Sequence, residues 1–366
     1  MIDEKAREYS RIKNTLAFIE PVLFLSFLAV IQLTGISSKW KFIASKATTV
    51  PYGITAVYAI IFGLFFYVVM FSFNYFRSYA IEHKFGLSNQ NIIDWLKDDL
   101  KRGFLSLLIF IIFIELLYYI VYNYAGAWWV IMASIWTFIT IIIARLTPIL
   151  IIPLFYKYAD IADADLKQNI MRLTEKCGVK ILDVFKIRLS LKTRKANAAL
   201  VGIGKTRRVL LGDTLTENYT KDEIAVVLAH ELAHHKQKHI WKSIAFGALI
   251  TLAAFFLVKV FSERIVSILG LESISDIAAF PSIIFVISIF GLIAMPAQNA
   301  FSCALERSAD AYAITVTGMP DAFISCMERL AQQNLANPSP NRFIEIMLYD
   351  HPPISKRIEM ARGLKK

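Results

Sequence analysis

Cysteine is scarce in this 366-residue chain: Cys177, Cys303 and Cys326 are the whole complement, odd in number and without CxxC spacing. That excludes a disulfide framework and a thiolate metal site, and it points to reducing surroundings for the polar parts. Charge is thin as well, at 19% of residues, whereas 56% are hydrophobic and the mean hydropathy is +0.52. An ordinary soluble domain has about 45 to 50% apolar residues, so neither a soluble globular chain nor a disordered one fits. Internal repeats, low-complexity tracts and any targeting motif beyond the apolar segments are lacking. The charge that remains is lopsided, with 40 Lys and Arg against 29 Asp and Glu, a net +11. In so apolar a chain this excess fits anionic lipid, not nucleic acid.

Apolar runs of about 20 residues, the length that crosses a roughly 30 Å hydrocarbon core, occur near 15–34, 54–73, 105–122, 127–146, 241–261 and 277–296. The first follows Lys5, Arg7, Arg11 and Lys13 and contains Glu20 and Pro21, which reads as a signal anchor and not a cleaved leader. With the amino terminus inside, the inner segments collect those four cations, then Arg77, Lys84, Lys97, Lys101 and Arg102, and both long basic regions. The outer ones hold only Lys39, Lys41, Lys46 and Arg264. This bias predicts that both termini and residues 151–240 are cytoplasmic. Tyr118, Tyr119, Tyr122, Tyr124, Trp128 and Trp129 then form an aromatic belt at the outer interface. Two domains are expected, a membrane domain at 1–150 and a second at 151–366. In the second, 196–203 and 207–211 flank Gly204-Lys205-Thr206 as a β-hairpin, and 220–238 forms a helix with Thr220 and Glu223 as a capping box.

Of six histidines, His230, His234, His235 and His239 fall within ten residues. His230-Glu231-Leu232-Ala233-His234 is HExxH: positions i and i+4 share one helical face, so two imidazoles converge on one zinc ion while Glu231 reaches a water. A catalytic zinc needs a third protein ligand and an open position. The metzincin pattern would need Gly at 237 and His at 240, where this chain has Gln237 and Ile240. On a continuous helix His235 and His239 point away from the shared face and read as solvated or interfacial. Topology offers Glu306 instead. His234 precedes the fifth span and Glu306 follows the sixth, each about 12 to 14 Å from where its helix meets the membrane. Glu306 and Asp310 are i and i+4, so Glu306 would bind the metal while Asp310 accepts the outer N–H of a ligating histidine.

HELAHH at 230–235, ERSADAYA at 306–313, Asn197-Ala198 followed by 208–215, and Asp350-His351-Pro352-Pro353 with Arg357 together resemble the type I CAAX prenyl endopeptidase family of integral-membrane zinc proteases. His83-Lys84-Phe85-Gly86-Leu87-Ser88, followed by 95–98, resembles that family's membrane domain, so the likeness covers roughly 50–366. The resemblance implies His230, His234 and Glu306 as zinc ligands, Glu231 as general base and acid, and Asp310 behind a ligand. It also implies that His351 and Arg357 contact the substrate or the oxyanion. The strand around Asn197, with Ala198, Ala199 and Leu200, would pair with the substrate backbone. Eukaryotic members have seven spans around a chamber, against six here. Glu20 and Glu115 inside spans would each face a cavity or a partner.

The expected fold is an all-α polytopic membrane protein of about six spans, with a cytoplasmic α+β zinc-metallopeptidase domain containing a small β-hairpin or sheet. One Zn²⁺ per chain is expected, with membrane lipids and a peptide or protein substrate, prenylated or not, as partners, and no nucleic acid. Three activities stay open: CAAX-type cleavage near the C-terminus of prenylated proteins, broad-specificity membrane quality-control proteolysis, or a transporter or scaffold with a structural zinc. The membrane would be the endoplasmic reticulum in a eukaryote and the inner membrane in a prokaryote.

Overall fold

The computed structural model describes residues 4–364 save positions 162, 182, 203 and 272. Apolar content dictates long helices in its first part: α1 (Glu4–Leu33), α2 (Ile36–Ala47), α3 (Pro51–Tyr75), α4 (Ile92–Asn123) and α5 (Trp128–Leu146). Then come α6 (Ala164–Cys177), α7 (Lys221–Lys236), and the apolar α8 (His239–Leu269) and α9 (Phe280–Thr317). Next are α10 (Pro320–Gln333), α11 (Arg342–Leu348) and α12 (Ile354–Leu364). Six helical stretches are long and apolar enough to cross a membrane: Glu4–Leu33, Pro51–Lys84, Ile92–Asn123, Trp128–Phe155, His239–Leu269 and Ile277–Thr317. They include every run read from the sequence. α2, with 12 residues, is too short to span ~30 Å; Trp40 on it instead stacks edge-on against Tyr58 and Phe62 of α3. Outward faces stay apolar, with Leu33, Phe104 and Ile293 all more than 70% exposed, as lipid contact requires.

One boundary differs from the sequence reading. The apolar run near 277–296 and the segment that carries Glu306 and Asp310 are a single helix, α9, whose 38 residues run roughly 57 Å. Pro296 removes one helical hydrogen bond without ending the helix, because the apolar flank offers the backbone no other partner. α9 therefore spans and then projects about 25 Å further as a rigid post. Glu20 finds a partner in Arg77, which donates to it across α1 and the π-helical turn Phe76–Ala80.

A four-stranded sheet has the order β1-β2-β4-β3, from β1 (Tyr158–Asp160), β2 (Asp183–Ile187), β3 (Ala198–Val201) and β4 (Arg208–Gly212). β2 and β4 are parallel; the other pairs are antiparallel. β3 and β4 are the hairpin foreseen at 196–211, with Leu200 opposite Val209; Ile203 lies outside the described residues. Its turn needs glycine at 202, where φ is +91° and a Cβ would sit 2.5 Å from the Thr206 carbonyl oxygen. The sheet, α6, α7 and α10 enclose one core around Val184, Leu211, Leu232, Phe323 and Cys326, separate from the membrane core around Leu28, Tyr58, Ile114 and Phe280.

The 83–88 motif docks on the segment that leads into β3. Arg194 N–H and the Thr193 hydroxyl both donate to the Leu87 carbonyl at 2.9 Å, and Ser88 bridges Thr193. Beside them Lys192 pairs with the buried Asp98 and Lys195 with Glu82. The membrane domain thus holds the approach to the sheet edge.

Candidate metal centre

α7 starts where the sequence says it should: the Thr220 hydroxyl accepts Glu223 N–H at 3.2 Å and Glu223 accepts Thr220 N–H at 2.8 Å. Buried Glu223 also takes a hydrogen bond from Arg329 at 2.7 Å, which fixes α10 against the helix start. On the opposite end, His230 Nε2 and His234 Nε2 face each other at 3.1 Å. α9 packs alongside and brings Glu306 Oε2 to 3.2 Å from His230 Nε2 and Oε1 to 3.3 Å from His234 Nε2. Bonds of about 2.05 Å at tetrahedral angles put ligand atoms roughly 3.3 Å apart. The separation between the two rings, and that from each ring to the nearer Glu306 oxygen, lie close to that edge, and Glu306 Oε2 is buried without a hydrogen-bond donor. The donor set fits a divalent metal with one position left open.

Around these atoms the surroundings fix orientation. His230 Nδ1 lies 2.8 Å from Asp310 Oδ1, and Asp310, fully buried, takes two hydrogen bonds from Arg357, Nε at 2.8 Å and Nη2 at 2.5 Å. Burial pushes the His230 imidazolium down, but Asp310 and Glu306 outweigh it and hold the metal-free group up at about 9. His234 goes the other way, to about 4, from burial and then its charged neighbour. Burial raises Glu231 above the usual carboxylate range. His351 Nε2 stands 3.5 Å from Glu306 Oε2, and its Nδ1 is 2.8 Å from Asp350 Oδ1, the contact that raises its pKa.

β3 is the sheet edge facing α7. Its Leu200 N–H donates to Glu231 Oε2 and its Leu200 carbonyl accepts from His235 Nε2, both at 3.4 Å. Since Gly212 N–H bonds the Asn197 carbonyl on the β4 side, Ala198 presents its own N–H and carbonyl to the same free edge as Leu200. Asn334, from the end of α10, clamps Ala196 by accepting its N–H at 3.0 Å and donating to its carbonyl at 3.4 Å. Between that end of β3 and α7 lies a cavity of about 290 Å³ lined by Asn197, Val227, His230, Glu231, His351 and Arg357 among others.

The structure thus collects the 230, 231, 234, 306, 310, 351 and 357 side chains and the 197–200 backbone at one place. It overturns the reading of His239. That side chain is only 2% exposed, with Nδ1 3.1 Å from His234 Nδ1 and Nε2 3.0 Å from Gln237 Oε1. Gln237 in turn meets Ser308 of α9. The continuous-helix assumption fails because α7 stops at Lys236 and Lys238 adopts φ +57°, which swings the first residue of α8 back onto His234. Nothing in the sequence, neither Gly nor Pro, marked that break. His235 is half-buried against Leu200, not solvated. Asn334 and Gln237 were missed because isolated amides carry no sequence signal.

Residues 160–365 match the profile of peptidase family M48, and residues 3–157 match that described as CAAX prenyl protease N-terminal, five membrane helices. The chain belongs to peptidase family M48. Among its relatives, the Bacillus subtilis protein named "Uncharacterized metalloprotease YhfN" is 26% identical, over 97% of this chain and 84% of that one. CAAX prenyl protease 1 homologs of Arabidopsis thaliana and Homo sapiens are 25% and 23% identical, over 99% of this chain and 88% and 86% of theirs. The crystal structure of S. mikatae Ste24p superposes with a TM-score of 0.87 at 20% identity, covering 99% of this chain and 91% of that one, and shares the fold. This M48 peptidase is therefore a multi-pass membrane metalloprotease acting on peptide or protein substrates.

Proposed function

We propose that this M48 peptidase is a zinc endopeptidase that cleaves near the C-terminus of prenylated proteins. The observation that carries the reading is the His230, His234 and Glu306 donor set at tetrahedral spacing, with Glu231 one residue on and the free β3 edge beside it. Those three side chains would hold the ion. When bound, zinc supplies Lewis acidity, making water a nucleophile near neutral pH and polarising the scissile carbonyl.

The chain's own residues do the rest. Glu231 takes the proton of the attacking water and delivers it to the leaving amine; a carboxyl raised by burial suits both halves of that task. His351, whose protonated form Asp350 favours, donates to the oxyanion as charge develops. Arg357 is committed to Asp310 through two hydrogen bonds, so its part is to hold Asp310, which orients His230. Substrate adds as a strand along the outward-facing groups of Ala198 and Leu200, displacing Glu231 and His235 from Leu200.

The names of the CAAX prenyl protease relatives support the prenylated class, as does an apolar cavity of about 620 Å³ among the spans, lined by Phe62, Phe66, Phe110, Trp136 and Phe280. The Lys and Arg bias supports cytoplasmic termini and a cytoplasmic site, in the endoplasmic reticulum of a eukaryote or the cell membrane of a prokaryote. We place the domain boundary at 150/151, before the sheet begins.

The test is cleavage, by purified zinc-loaded protein in detergent, of two matched peptides with and without an isoprenylated C-terminal cysteine, against Glu231→Gln. Cutting of the lipidated peptide alone is expected. Equal cutting of both would replace the prenyl assignment with broad membrane proteolysis, and turnover by metal-loaded Glu231→Gln would remove Glu231 as base.

A further inference from the structure

Two cavities flank the metal centre along β3. One, at the Asn197 end, is mostly apolar and opens on His230 and Glu231. The other, about 390 Å³, opens on His234 and His235 at the Leu200 end. Its character is opposite. Arg207, Lys236 and Lys238 line it, and no acidic side chain does among the described residues. None of the three makes an ion pair among the described residues, and Arg207 Nε is buried without an acceptor. An unmatched buried donor is costly, and an anion entering the cavity would satisfy Arg207 Nε while the two solvent-exposed lysines at its rim attract it. Lys238 reaches its wall from a left-handed backbone conformation, φ +57°, that a lysine seldom adopts; the helix break that turns His239 onto His234 also delivers this cation.

We propose that this cavity is a carboxylate-binding subsite of the protease, taking an acidic group of the substrate on the side of the scissile bond away from the apolar cavity. The inference rests on the peptidase reading and deepens it. An added strand runs more favourably antiparallel to its neighbour. Antiparallel entry places the residues before the scissile bond at the Leu200 end of β3, where His235 and the three cations stand. Side chains on one face of a strand recur every ~6.8 Å, so a residue two or three before the bond reaches the cavity. The same pocket would take a terminal carboxylate if the peptide ran parallel, and the two sources separate by experiment.

The experiment uses the zinc-loaded protein in detergent and one otherwise neutral peptide that carries an isoprenylated cysteine before the cleaved bond, with Asp or Asn at each of the three positions ahead of that cysteine, each made with a free or an amidated C-terminus. Asp is expected to lower KM relative to Asn roughly tenfold at one position, with the advantage shrinking in 0.5 M salt. Arg207→Gln and Lys238→Asn should each bring the Asp-to-Asn ratio to within about twofold; asparagine tolerates the left-handed turn, so the backbone is kept. A preference for the free terminus that disappears in the same variants assigns the subsite to the chain end. Equal KM values throughout, or a preference that survives both substitutions, overturns the subsite while leaving the peptidase intact. Should none of these prenylated peptides be cut, the peptidase reading fails by itself. The same peptides are then titrated by fluorescence anisotropy against Glu231→Gln protein, where equal Kd values for Asp and Asn peptides overturn the subsite.

Discussion

Asp310→Asn separates orientation of the metal site from its ligation. The carboxylate is fully buried, stands 2.8 Å from His230 Nδ1 and accepts two hydrogen bonds from Arg357, whose side chain is 12% exposed. The amide keeps the shape and loses the charge, leaving the Arg357 guanidinium buried without its counterion. Breaking a buried pair from one side costs about 3 to 5 kcal/mol. For a peptidase unit of this size each kcal/mol lowers the midpoint roughly 2 to 4 °C, so a fall on the order of 10 °C is expected. His230 loses its fixed acceptor as well, and weakening of that kind lowers metal affinity about 10- to 100-fold. Thermal unfolding of the metal-free protein in detergent reads the first quantity, and chelator competition reads the second. Adding Arg357→Gln should restore part of the thermal loss, since no charge is then stranded, but none of the affinity. An Asp310→Asn protein with unchanged midpoint and unchanged affinity would refute the argument that this carboxylate holds the site together.

His239→Ala should weaken zinc binding about 10-fold by freeing the His234 ring, while His239→Asn, which can still accept at that place, recovers much of it; chelator competition reports both. Metal uptake should release close to one proton below pH 9, because His230 is protonated up to about 9 in the metal-free chain and must be neutral to ligate. Apparent affinity then climbs about tenfold per pH unit up to pH 9 and flattens above it, and His234, already held neutral, adds no second proton near pH 7. Calorimetry in two buffers of different ionisation enthalpy counts the protons; a count of zero at pH 7.5 contradicts the assigned charge state. N-methylation of successive substrate amides should raise KM at alternate positions, since only Ala198 and Leu200 face the free edge, and a uniform effect would argue against strand addition.

How far the sequence could be read follows from where the physics is local. The spans were legible because a ~30 Å apolar core imposes a length, and HExxH because ligand geometry imposes i and i+4 on a helix. Glu306 was legible through topology: a helix leaving the membrane beside the one entering it brings the two together. The Thr220 and Glu223 box needed only neighbours in sequence. What failed depended on long-range packing. The apolar run stops at Pro296, which suggests a boundary there, yet α9 runs through it, since a backbone in lipid keeps its helix where one in water could bond elsewhere. The left-handed Lys238 is unmarked because tertiary contacts hold it, His239 against His234 and Gln237 against Ser308. A site built on the projecting end of a membrane helix needs its partner helix to stop and turn at the surface. The turn at 237–238 therefore does three things at once: it ends the catalytic helix, starts a span, and points a histidine at a ligand and a lysine at the cavity beside it.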